Sequence, residues 1–229
     1  MFKQVGESFV RTAVSYASLG KHERLLEVGC GCGRMAIPLT KYLYPDALYE
    51  GFDIGRNEIA WCTEHITSRF PNFRFQFADV FNGLYNRAGT YSASEYKFPY
   101  QDGQFDFILL ASVFTHMLPD EVRNYLSEIS RVLREGGRCW ITFFLLNEES
   151  RELIQSNQAK IRFSHPDHEF STAGEAGNES VVAYDEGLIR KLHREEHLGI
   201  QEPIRYGSWC GRKNFFGFQD EILAHRLTH

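Results

Sequence analysis

Residues 25–34 constrain the fold of this chain more than any other part of its sequence. Leu25, Leu26 and Val28 predict a buried strand, and the apolar spacing of residues 35–43 predicts a helix after it. Between strand and helix, glycines occupy three alternate positions. They are Gly29, Gly31 and Gly33. Such a unit forms a ligand cradle, because glycine lets the backbone approach a ligand and the start of a helix offers free N–H groups.

The glycine spacing narrows the choice of ligand. A dinucleotide-binding turn reads G-x-G-x-x-G, but Arg34, whose side chain is bulky, stands where its third glycine would be. No G-K-[ST] follows, which excludes a phosphate-binding P-loop. Glu27 precedes Gly29 by two residues; it would repel a pyrophosphate and suits a ligand that carries ammonium or sulfonium charge. If the loop is considered by itself, the alternative to a ligand cradle is a glycine turn in an ordinary α/β protein.

The next strand ends in Asp53, about 20 residues beyond the last glycine, where a ribose-binding carboxylate belongs. At this point the sequence resembles the class I S-adenosylmethionine-dependent methyltransferases. The resemblance covers roughly residues 20–146 and rests on five segments in family order. These are residues 27–33, 51–54, 77–80, 105–110 and 133–138.

The resemblance implies S-adenosylmethionine as cofactor and names the residues that would bind it. Asp53 would bind the ribose, and Asp79 would meet the adenine amino group. Ile54 and Val80 would lie near the adenine ring. The other cofactor-binding residues that it implies are Glu27, Gly29, Gly31, Gly33 and Ala111.

The expected fold is α/β: a seven-stranded, mostly parallel Rossmann-like sheet with helices on both faces and a C-terminal antiparallel hairpin. The length of 229 residues suits one such domain. We expect residues 1–229 to form a single methyltransferase domain with its cofactor-binding core at 20–146. Residues 81–104 and 147–183 are insertions relative to the minimal fold, and we expect both to lie near the substrate site. Within the second insertion, residues 162–180 are expected to form a lid or substrate loop. The hairpin strands are predicted at 204–209 and 218–224.

The segment after the fourth strand bears on the substrate. Residues 110–113 read Leu-Ala-Ser-Val, at the sheet edge where ligands bind. The nucleobase and glutamine N-methyltransferases carry an acidic residue or Asn, then Pro-Pro and an aromatic residue, at this position, so those substrates are disfavoured. The net charge of −5, without a basic run, also argues against a nucleic-acid partner. We expect a small-molecule methyl acceptor.

His116 is the candidate catalytic base. Imidazole titrates near neutral pH and could take the proton of a hydroxyl during methyl transfer, which predicts O-methylation. The alternative for this residue is a structural histidine that closes the loop against the following helix. The alternatives for the protein are N- or C-methylation and a cofactor-binding regulator without catalysis. A nicotinamide-dependent oxidoreductase is disfavoured by Glu27 and Arg34.

Cysteine usage and hydropathy indicate the compartment. The chain has five cysteines, an odd number, and Cys139 lies in an apolar strand, which favours a reducing cytoplasm. We find neither the apolar run of a signal peptide nor one long enough for a membrane span. We therefore expect a cytoplasmic protein without a membrane partner and leave a homodimer open. Cys30 and Cys32 lack a second pair at zinc-ligand spacing, so no metal site is predicted.

Overall fold

The structure, a computed structural model, describes residues 2–175 and 178–228 and contains two β-sheets. The strands in chain order are β1 (Arg24–Val28), β2 (Leu48–Asp53), β3 (Phe73–Phe77), β4 (Phe105–Leu110), β5 (Leu133–Phe143), β6 (Leu145–Leu146), β7 (Phe170–Glu175), β8 (Asn178–Asp185), β9 (Leu198–Ile200) and β10 (Asp220–Arg226).

The larger sheet has seven strands in the order β3-β2-β1-β4-β5-β10-β9. The first five run parallel, while β10 is antiparallel to both β5 and β9. This arrangement confirms the predicted sheet with its C-terminal antiparallel pair. The strand order reverses between β1 and β4, and in parallel sheets a crevice at such a reversal binds ligands at the carboxyl ends of the strands.

Helices cover both faces of this sheet, because successive strand residues point to opposite sides. Leu25 and Phe107 belong to the core under α1 and α2, whereas Leu26 and Ile108 belong to the core under α4 and α6. None of the helices in the described ranges has the length and apolar character needed to cross a bilayer. The helices are α1 (Phe2–Ser15), α2 (Ala36–Leu39), α3 (Arg56–Cys62), α4 (Pro119–Val132), α5 (Glu148–Gln155) and α6 (Glu186–Glu195).

Helix α2 is much shorter than the helix predicted at residues 35–43. Pro38 lies at its centre and has no N–H to donate to a preceding turn. The chain continues past α2 in turns, in which Leu43 N–H still bonds the Leu39 carbonyl at 2.9 Å. The glycine loop is thus followed by one helical turn.

The penultimate strand is β9, not the predicted segment at 204–209. From that segment Arg205 pairs with Glu221, as an isolated bridge. The N–H of Gly207 instead donates to the carboxylate of Asp220 at 2.7 Å. Because this N–H is bound by a side chain, it cannot donate to the backbone of a neighbouring strand. The segment 204–209 therefore does not form the predicted strand. The other predicted strand, at 218–224, overlaps β10.

Residues 147–183 supply α5 and most of the smaller sheet, whose order is β6-β8-β7. The loop expected at 162–180 is therefore wrong for residues 170–175 and 178–180, which form strands, and a role of the segment as a lid stays a prediction. Residues 176 and 177 lie outside the described residues. The smaller sheet has a core of its own. Its largest members are Phe144, Phe163 and Trp209.

Candidate active site

A cavity of about 520 Å³ opens at the carboxyl ends of β1, β2 and β4. Its volume lies within the range of small-molecule sites, about 300–1,000 Å³. Most of the predicted site residues form its wall. They are Gly29, Gly31, Asp53, Ile54, Val80, Ala111 and His116.

The three glycines of the loop have different surroundings, although each has a positive φ (75° at Gly29, 50° at Gly31 and 75° at Gly33). A Cβ on Gly29 would lie 2.4 Å from the Val113 side chain, and one on Gly33 would lie 2.8 Å from Ile66. A Cβ on Gly31 would meet no atom within 4 Å. Gly31 therefore opens onto the cavity, whereas the other two permit close packing. Gly33 lies behind the cavity wall.

Asp53 holds the loop in place from the end of β2. Its Oδ2 accepts the N–H of Gly31 at 2.7 Å, and its Oδ1 accepts the N–H of Gly55 at 2.8 Å. Burial raises the pKa of this carboxyl group, and the two backbone hydrogen bonds oppose that shift. A carboxylate has about four lone-pair sites, so Asp53 keeps acceptor capacity toward the cavity.

Glu27 lies beneath the glycine loop rather than in the cavity wall. It is 2% exposed, and the hydroxyl of Tyr49 donates to its Oε2 at 2.5 Å. Burial raises the pKa of Glu27 to about 8. Burial therefore favours the neutral form of this carboxyl group, which lies outside the cavity wall.

Asp79 follows β3 and is half-buried, also behind the wall. Its backbone carbonyl accepts the N–H groups of Thr90 and Tyr91, each at 3.0 Å. The next residues along the chain line the cavity. They are Val80, Phe81 and Asn82.

His116 ends a 3₁₀ turn (Phe114–His116) that follows β4. Its backbone N–H donates to the Val113 carbonyl at 2.9 Å, and its ring meets the ring of Tyr85 edge-on, with centroids 5.5 Å apart. The hydroxyl of Tyr184, from β8, donates to the Phe114 carbonyl at 2.7 Å. The smaller sheet thus helps to fix the turn that carries the imidazole.

The segment 81–104 divides into two parts. Its first part borders the cavity, where Tyr85 lies beside the candidate base. In its second part, Tyr96 and Tyr100 pack against Phe52 in the core, with ring centroids 6.2 and 6.3 Å apart. The tyrosines of this segment therefore serve two purposes, and those of the second part stabilise the fold.

Sequence reasoning missed several charged or polar residues of the wall. Glu58, in the first turn of α3, lines the cavity near Asp53. Glu121 begins α4 and accepts the Leu118 N–H at 2.6 Å; burial raises the pKa of its carboxyl group. An acidic residue in the first turn of a helix that begins at this sheet edge was the available signal. The remaining polar members are Arg34, Asn82, Ser112 and Tyr125.

Metal ligands do not gather anywhere in residues 2–175 and 178–228, where no three side chains of His, Cys, Asp or Glu form a candidate set. His165 and His168 stack on each other instead, with ring centroids 5.3 Å apart.

Comparison with known proteins decides the family. The family described as "Methyltransferase domain" matches residues 26–141, which include the glycine loop, Asp53 and His116. The chain belongs to the class I S-adenosylmethionine-dependent methyltransferases. S-adenosylmethionine is the cofactor of this family, as the resemblance of the sequence implied.

Two relatives illustrate the extent of similarity. The phthiotriol/phenolphthiotriol dimycocerosates methyltransferase 1 of Mycobacterium ulcerans (strain Agy99) is 35% identical over 127 residues, which cover 56% of this chain and 39% of that protein. The O-methyltransferase cnsE of Penicillium expansum is 28% identical over 139 residues, which cover 60% of this chain and 44% of that protein. The chain spans less than half the length of either relative.

Among solved structures, the PH0226 protein of Pyrococcus horikoshii OT3 is similar with a TM-score of 0.66 and 17% sequence identity. The match covers 98% of this methyltransferase and 91% of that chain. At this identity the likeness shows a shared fold. It agrees with the seven-stranded sheet and its C-terminal antiparallel pair.

Proposed function

We propose that this methyltransferase transfers the methyl group of S-adenosylmethionine to a hydroxyl of a small molecule, with His116 as the base. The observation that carries the proposal is the shared cavity, whose wall includes Gly31, Asp53 and His116. One cavity is thus bordered by both the glycine loop and an imidazole. Residues 1–229 would act together as a single domain.

The residues present fit the cofactor. The open space at Gly31 lets a ligand approach the backbone, and Asp53 retains acceptor capacity for ribose hydroxyls. Ile54 and Val80 supply apolar surface for an adenine ring. Glu27, close beneath the loop, would stabilise the positive end of the cofactor when ionised.

S-adenosylmethionine, when bound, supplies a methyl group that is already electrophilic because its sulfur is positively charged. The protein therefore has to align an acceptor with that methyl group and exclude water. His116 accepts the proton that the acceptor hydroxyl loses as its oxygen bonds the methyl carbon and the carbon–sulfur bond breaks, with the electron pair remaining on sulfur. Tyr85 and Tyr184 hold the imidazole and its turn in place.

The name of one relative, an O-methyltransferase, supports hydroxyl chemistry. Fold alone never decides the reaction, so the proposal of O-methylation depends mainly on the role of His116. An amine or a stabilised carbanion would need a base less than a hydroxyl does. The behaviour of a His116 variant therefore separates these reactions.

The test compares His116→Ala with Asp53→Ala. Small-molecule extracts are incubated with labelled S-adenosylmethionine, and S-adenosylhomocysteine binding is measured by calorimetry. We expect His116→Ala to bind like the wild type but to transfer methyl groups about a hundredfold more slowly, as lost general-base catalysis does. Asp53→Ala should bind S-adenosylhomocysteine at least several-fold more weakly. The ribose hydroxyls lose their hydrogen-bond acceptor in this variant, which costs about 1–3 kcal/mol.

The pH profile supplies a second readout. The wild-type rate should rise as pH increases through the ordinary range of imidazole, about 6–7, and His116→Ala should lack that rise. Full activity of His116→Ala would contradict the base assignment. A wild type that binds S-adenosylhomocysteine tightly but methylates nothing in the extracts would favour a regulatory protein.

A further inference from the structure

A second cavity, of about 270 Å³, adjoins the first, and Arg34 and Ser112 line both. It lies between α1, the ends of β4 and β5, and the segment that leads into β10. The wall residues that characterise it are Ser8, Phe9, Trp140, Phe216, Phe218 and Glu221.

Two buried polar groups in this wall retain unused hydrogen-bonding capacity. Trp140 is 1% exposed and Glu221 is 8% exposed. Within the described residues, Trp140 Nε1 makes no hydrogen bond of good geometry, although the indole lies near enough to Glu221 to favour the charged carboxylate. Glu221 Oε2 likewise accepts no hydrogen bond of good geometry there, but it forms an ion pair with Arg205 Nη1 at 3.3 Å. Buried polar groups are normally satisfied. An indole donor without a well-formed hydrogen bond, beside a carboxylate that keeps spare lone pairs, favours a polar ligand group that bonds both.

The charge of Glu221 is already balanced. Arg205 Nη1 lies 3.3 Å from Glu221 Oε2, and the guanidinium is held between the rings of Tyr16 and Phe216, at 4.3 and 4.4 Å from their centroids. A second cation beside this ion pair would meet repulsion from Arg205. The cavity therefore favours a neutral hydrogen-bond donor over an ammonium group.

Aromatic side chains also line this cavity. Phe9 packs on Trp140 with ring centroids 5.4 Å apart. Phe216 and Phe218, which are 64% and 49% exposed, line the same cavity. Aromatic side chains favour stacked or edge-on contact with another ring. A cavity of about 150 Å³ is enough to hold benzene, so this one has room for a single ring with substituents.

The junction of the two cavities is fixed by Ser112, whose φ is +61°. Its N–H donates to Thr142 Oγ1 at 2.8 Å, and its hydroxyl donates to Gln219 Oε1 at 2.9 Å. These bonds tie the end of β4 to β5 and to the segment before β10. A ligand that fills the second cavity would reach the first by passing this residue.

We propose that the second cavity binds the methyl acceptor as a neutral aromatic ring that carries hydroxyl groups. One hydroxyl donates to Glu221 and accepts from Trp140, and the opposite end of the ring points past Ser112 toward the transferable methyl group. The proposal rests on the proposed methyl transfer for the role of the ligand. Binding of the ligand to this cavity can be measured without any methyl transfer.

The test uses two probes of the same shape, resorcinol and m-xylene, which differ in their hydroxyl groups. Binding to the wild-type protein with S-adenosylhomocysteine is followed by ligand-observed NMR. Resorcinol should bind at least tenfold more tightly than m-xylene. In Glu221→Gln this preference should fall about tenfold, because a charged acceptor is replaced by a neutral one. Equal binding of the two probes to the wild type would overturn the proposal.

A second pair of variants does not disturb the buried groups. Ser8 is exposed at the mouth of the cavity, whereas Arg11, also exposed on α1, does not line it. Ser8→Trp should abolish resorcinol binding, and the control Arg11→Trp should not change it. Resorcinol binding that survives in Ser8→Trp would place the probe elsewhere and contradict the proposal.

Calorimetry with S-adenosylhomocysteine separates the two hypotheses. Glu221→Gln and Ser8→Trp should bind it like the wild type. If the wild type does not bind it at all, the proposed function fails, while the two probes still report on the second cavity. If the wild type binds S-adenosylhomocysteine normally but binds resorcinol and m-xylene equally well, the proposed substrate class is wrong and the methyltransferase assignment stands.

Discussion

At the scale of single residues, glycines that look equivalent in sequence are required for different reasons. Gly31 faces open space in the cavity, and Gly29 faces the side chain of Val113. Both adopt the left-handed conformation, which costs a residue with a Cβ roughly 1–2 kcal/mol. A substituent at Gly31 therefore competes mainly with a ligand, whereas one at Gly29 competes with the protein itself.

This difference predicts that substitution of Gly31 mainly weakens ligand binding, whereas substitution of Gly29 mainly lowers stability. Gly31→Ala should lower the free energy of unfolding by about 1 kcal/mol and weaken S-adenosylhomocysteine binding tenfold or more. Gly29→Ala should lower the free energy of unfolding by about 2–4 kcal/mol, because overpacking adds to the backbone strain. Urea denaturation and calorimetry measure the two quantities. The interpretation fails if Gly31→Ala is the less stable variant and binds normally.

At the scale of elements, the smaller sheet supports the turn that carries the candidate base. The hydroxyl of Tyr184 in β8 donates to the carbonyls of Phe114 and Met117, at the two ends of that turn. Tyr184 is fully buried, so water cannot replace its hydroxyl. Residues that lie far from the cofactor cradle thus help to position His116.

We predict that Tyr184→Phe lowers the free energy of unfolding by about 1–3 kcal/mol, since buried carbonyls lose their donor. Methyl transfer should slow while the affinity for S-adenosylhomocysteine stays unchanged. Tyr206→Phe is the matched control, because it removes a tyrosine hydroxyl that bonds Glu186 rather than the turn. Unaltered turnover in Tyr184→Phe, measured with the extract assay, would show that the turn holds its position without this hydroxyl.

Asp220 links the two sheets. It is fully buried and accepts hydrogen bonds from the N–H groups of Leu145 and Gly207 and from Trp209 Nε1, each at 2.7 Å. Arg212 Nη1 adds a fourth contact at 3.0 Å. Burial still raises the pKa of Asp220 to about 6. These bonds hold the chain before β10 in the shape that forms part of the second cavity.

At the scale of the whole molecule, stability should depend on pH through His193. This residue of α6 is fully buried, its Nδ1 lies 2.8 Å from the Ile189 carbonyl, and burial lowers its pKa to about 4. The unfolded chain takes up the proton near pH 6.5. Between these values the unfolded state binds more protons, so stability falls as pH falls from about 6.5 to 4.

Over this pH range, His193 is expected to lower the free energy of unfolding by about 3 kcal/mol. Glu27 and Asp220, whose pKa values are raised, act in the opposite direction. The measurement is therefore the difference between the wild type and His193→Leu in urea denaturation at pH 7, 5 and 4. That difference should shrink as pH falls, whereas the exposed control His65→Gln should show no such trend. A difference independent of pH would contradict the prediction.

What the sequence determined by itself was local. The glycine loop, the acid at the end of the next strand and the alternating apolar strands depend on short-range spacing. In a parallel sheet that spacing places the ends of β1, β2 and β4 at one edge. For this reason Gly31, Asp53, Ala111 and His116 were predicted for the site and do line one cavity.

Only the tertiary structure decided which side chains face that cavity and what adjoins it. Glu27 follows the strand pattern, yet Tyr49 holds it beneath the loop. The second cavity joins α1 to the segment before β10, from opposite ends of the chain, and no local spacing relates the two. Its polar groups, Trp140 and Glu221, are neighbours because β5 and β10 pair in one particular register. Contacts of this kind arise from packing between elements, which sequence periodicity does not encode.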